Sequence, residues 1–156
     1  MCSSKNDELD WFDADQVARC LAALPTGAAP FGVLYERYCA GWHGAVAYEL
    51  SKLFRIEEVT DVNWGRCRAL RLHGEDGFVR LDLSLWGPFA YVQRTTGEQD
   101  DRSVVFLERS AVADSILQVL AAEAIELLTP RALEAVVEDL EGQQRPLWQV
   151  MFWEVD

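Results

Sequence analysis

The chain has 156 residues and is 50% apolar, enough for one compact domain whose core needs neither a metal nor a disulfide framework. Its 26 acidic residues outnumber 14 basic ones, for a net charge of −12, a field that repels nucleic-acid phosphates and anionic membrane surfaces. Disordered and collagen-like classes are excluded by composition, and no apolar run approaches the ~18–20 residues of a membrane span.

Residues 1–10 are polar and are expected to form a flexible segment ahead of a single domain over residues 11–156. They lack the apolar stretch of a secretory signal, so a cytoplasmic protein with reduced thiols at Cys2, Cys20, Cys39 and Cys67 is expected. A first helix starts at Asp13 as cap, with Gln16 completing the box and Phe12 stapling to Val17. It runs to about Leu24, where Pro25 ends it. Pro30 opens a second helix to about Ala40, stopped by Gly41, with Phe31, Leu34, Tyr35 and Tyr38 on its buried face. The same stretch also fits a strand, and helix is the preferred reading. From His43 to Phe54 the pattern is helical, with Val46, Leu50 and Leu53 inward.

The middle changes character. Segments near 56–62, 66–73, 78–85, 89–96 and 103–108 are rich in strand formers and are separated by turn residues, which predicts an antiparallel meander of about five strands. In 78–85, Val79, Leu81, Leu83 and Leu85 alternate with Phe78, Arg80, Asp82 and Ser84, so one face is expected buried and the other wet. Arg66, Arg68 and Arg80 are assigned to the wet face, balanced by acids such as Asp82. A basic nucleic-acid patch is the sharper alternative, and the overall charge opposes it.

The last third mixes helix and strand. A helix over 111–122 buries Ile116, Val119 and Leu120, and a short strand falls within 123–128. Thr129-Pro130 starts another helix, with Leu133, Val136, Val137 and Leu140 as its inner stripe and Gly142 as its stop. Glu134, Glu138 and Glu141 then line the outer side, with Asp139 adjacent. Residues 147–156 read as a closing strand, apolar on both faces: Trp148, Val150 and Phe152 on one, Leu147, Met151, Trp153 and Val155 on the other. Burial between layers is preferred over a binding surface. The expected fold is α+β, with N-terminal helices, the meander, C-terminal helices and a closing strand.

No motif fixes a chemistry. Phosphate loops, dinucleotide fingerprints, nucleophile elbows and zinc-protease signatures are all missing from the sequence. Asp13-x-Asp15 and Asp100-Asp101 suit caps or loops. Cys39, His43, Cys67 and His73 supply enough ligands for zinc, but their spacing fits no zinc pattern. Cys39 and His43 stand four apart, as a nucleophile–base dyad on one helical face would, with Glu36 the only nearby orienting group. A buried thiol beside a hydrogen-bonded histidine is the preferred reading, with no metal and no cofactor.

Charge is the remaining guide. Residues 1–15 carry a net −4, residues 16–109 a net −1 and residues 110–156 a net −7. Acidic ends of this kind speed encounter with a basic protein. The expected function is a non-enzymatic acidic binding protein that inhibits or shields such a partner, as a bacterial immunity protein or antitoxin does for a toxin with a basic cleft. Glu134, Glu138, Asp139 and Glu141 are the expected contact residues. The alternatives are an oligomeric scaffold joined through aromatic-rich edges, and a small enzyme using Cys39 and His43.

Overall fold

A computed structural model describes residues 9–25, 31–60, 66–74, 77–95 and 111–152. In chain order the elements are α1 (Trp11–Ala23), α2 (Phe31–Cys39), α3 (Gly44–Ser51), β1 (Arg55–Glu58), β2 (Cys67–Gly74), β3 (Gly77–Ser84) and β4 (Phe89–Thr95). They continue with α4 (Ala111–Ala122), β5 (Glu126–Leu127), α5 (Pro130–Glu134), β6 (Val136–Glu138), β7 (Gln144–Pro146) and α6 (Leu147–Phe152). The fold is α+β. Strands β1 to β4 form the expected antiparallel meander, and β5 adds to β4 in parallel, pairing Phe89 with Glu126 and Ala90 with Leu127. The strand expected at 103–108, the segment 1–8 and the pair Asp100-Asp101 lie outside the described residues.

Helix α1 begins earlier than its sequence suggests. Asp10, not Asp13, is the N-cap, and its Oδ1 accepts the Asp13 N–H at 2.8 Å. Asp13 instead points into the protein and accepts a hydrogen bond from Thr129 Oγ1. Gln16 is buried beside it. Its Nε2 donates to the Leu127 carbonyl at 3.1 Å, and its Oε1 accepts the Thr129 N–H at 2.9 Å. Thr129 caps α5 with Pro130 at the first turn, as the sequence predicts.

The sheet is covered on both faces, which corrects the expected wet face. On one side Leu70, Leu72, Leu81, Leu83, Ala90 and Val92 pack under Val46 and Leu50 of α3 and Ile116 and Leu120 of α4. On the other side lie Cys67, Ala69, Phe89 and Tyr91, covered by Cys20 of α1, Leu34 of α2 and the whole apolar face of α6. Asp82 and Ser84 belong to this second layer and are fully buried. Their polarity misleads, because each is satisfied inside: Asp82 accepts from Arg80 Nε at 2.9 Å, and Ser84 Oγ donates to the Met151 carbonyl at 2.9 Å. Arg66 is also buried rather than wet, with Nη1 donating to the Val150 carbonyl at 2.9 Å. Two expected core residues lie outside instead: Tyr35 and Leu53 are exposed.

Beyond residue 134 the sequence reading needs two larger corrections. Helix α5 stops at Glu134, and Val136 and Val137, both β-branched, enter a hairpin with β7. The closing strand is a helix. Leu147, Val150 and Met151 stand at i, i+3 and i+4 and are buried with Phe152. A short apolar run fits either period, and tertiary contacts decide it. Arg66 and Ser84 take the carbonyls of Val150 and Met151, which a helix C-terminus leaves without intrahelical partners. Trp148 is only half-buried, and Trp153 lies outside the described residues.

This placement gives a stability order. The Phe152 ring is buried with its centroid 5.4 Å from that of Tyr91. Phe152→Ala should cost about 3–5 kcal/mol, read as a lower urea midpoint at unchanged slope. Trp148→Ala should cost clearly less. Equal losses would mean that Trp148 is as fully packed as Phe152 and would overturn this placement of α6.

Candidate functional site

The acidic residues expected on one helix face are presented by a helix end and a hairpin. Glu134 is exposed at the last residue of α5, Glu138 is exposed at the end of β6, and Glu141 is exposed within the β6–β7 turn. Asp139 is different: it is buried, and its carboxylate builds the turn. Oδ1 accepts the N–H groups of Glu141 and Gln143, both at 2.8 Å, while Oδ2 accepts from Arg145 Nε at 2.8 Å. The Asp139 N–H donates to the Gln143 carbonyl at 2.8 Å, and Gly142 takes φ +82°, a conformation that favours glycine, to close the loop.

Burial alone would raise the Asp139 pKa. The two backbone N–H groups and the Arg145 guanidinium outweigh it, and the carboxyl titrates below its ordinary value. Burial is the main influence on the Arg66 guanidinium and pushes its pKa down, with Asp139 and Glu141 opposing that shift and Arg145 adding to it. The arrangement is a fixed turn with carboxylates projecting from it, suited to meeting cations.

The thiol and imidazole groups do not assemble. Helix α2 ends at Cys39. His43 lies beyond Gly41 in the left-handed region, with φ 64°, as the residue before α3. The two are therefore not on one helical face. His43 Nε2 donates to the Ser84 carbonyl at 2.6 Å, so the proton sits on that nitrogen in the neutral ring. Burial is the main influence on this imidazole and pushes its pKa down. Cys39 is exposed rather than the buried thiol expected. Cys67 is buried, and its thiol is pushed well up by desolvation. His73 instead contacts Glu57 at 3.0 Å. Among the described residues, no three His, Cys, Asp or Glu side chains are grouped to hold a metal ion, and no helix is long and apolar enough to cross a membrane.

Of the arginines assigned to a wet face, Arg68 pairs with Glu58 at 2.8 Å, Arg80 with Asp82, and Arg66 is internal. Sequence reasoning missed the role of Asp139. A signal for it existed: Asp followed three residues later by Gly is turn chemistry as readily as helix chemistry. Comparison with known families, curated proteins and solved structures gives no match.

Asp139→Asn should lower stability at neutral pH by about 1–3 kcal/mol, since it weakens three hydrogen bonds to a buried acceptor. In the native protein the contribution of the ionised carboxylate is present above the ordinary aspartate pKa of about 4. It is lost as pH falls through the lower folded value. Urea midpoints measured from pH 7 to pH 2 should therefore show a shallower acid limb in the variant. Parallel limbs would remove Asp139 from acid denaturation.

Proposed function

We propose that this chain is a non-enzymatic acidic protein of the cytoplasm that binds and shields a basic protein partner, as an immunity protein does for a toxin. The reading rests on one observation: Glu138 at the edge of the β6–β7 turn and Glu141 within it are exposed on a backbone held by buried Asp139, with Glu134 exposed on the preceding helix. Carboxylates on a fixed backbone lose less conformational freedom when they meet a cationic cleft than carboxylates on a loose loop. A net charge of −12 adds long-range attraction, which raises the rate of encounter. A protein partner is favoured over a nucleic acid because phosphates are repelled by the same field.

Mass spectrometry of material copurifying from the native host at low salt should yield one basic protein in a stoichiometric complex. Its association rate should fall as salt rises, while dissociation changes little. Replacing Glu134, Glu138 and Glu141 together by Gln should slow association several-fold without altering the melting temperature. A partner whose association ignores salt would defeat the electrostatic basis of this reading.

A further inference from the structure

We draw no further inference here: the strongest candidate, the exposed apolar face of helix α1 formed by Trp11, Ala14, Ala18 and Leu21, carries none, because Arg19 at its border is already paired with Glu126 of the same chain and nothing in the structure shows what covers that face.

Discussion

The arrangement turns on the side-chain amide of Gln16. Strand β5 is only two residues long and lies at the end of the sheet. Its inner side is paired, as the Leu128 N–H donates to the Ala90 carbonyl. On its outer side the Leu127 carbonyl and the Thr129 N–H meet Gln16 Nε2 and Oε1. One amide side chain therefore stands where the peptide group of a further strand would be, and the sheet ends there without an open edge at that point. Asp13 completes the joint by accepting the Thr129 hydroxyl, which in turn caps α5 through the Ala132 N–H.

The same device recurs at the other end of the chain. Helices α5 and α6 have five and six residues, too short to persist alone. Each is held by side chains that satisfy backbone groups at its ends: Thr129 at the start of α5, Arg66 and Ser84 at the end of α6. The backbone continues the network, as the Leu147 N–H donates to the Ala135 carbonyl. Buried polar residues in this layer are thus fasteners between short elements and strands. Truncating one leaves a buried partner unsatisfied as well as removing a bond.

Long elements were legible in the sequence because their patterns repeat. The helices α1, α3 and α4, the strands β2 to β4 and the Thr129-Pro130 start all appear within a few residues of where they are expected. What failed was short or paid for by distant contacts. Val136 and Val137 suit a helical stripe or a strand equally over so few residues, and Asp139 settled the matter through a turn that composition does not reveal. Residues 147–152 are apolar in both periods, and only Arg66 and Ser84, more than sixty residues earlier, select the helix. The polar face of β3 was misread because alternation reports polarity, whereas burial depends on what lies above. At the candidate site, the glutamates were legible as outward-facing groups and Asp139 was not legible as an inward one.

On the proposed reading, the exposed glutamates of the hairpin act through a field that ions screen within about 8–10 Å. The Asp139 network beneath them does not share that sensitivity, because its carboxylate is buried and is held by two backbone N–H groups and Arg145. Raising ionic strength therefore weakens the attraction of Glu138 and Glu141 for a cation while the turn that presents them stays in place.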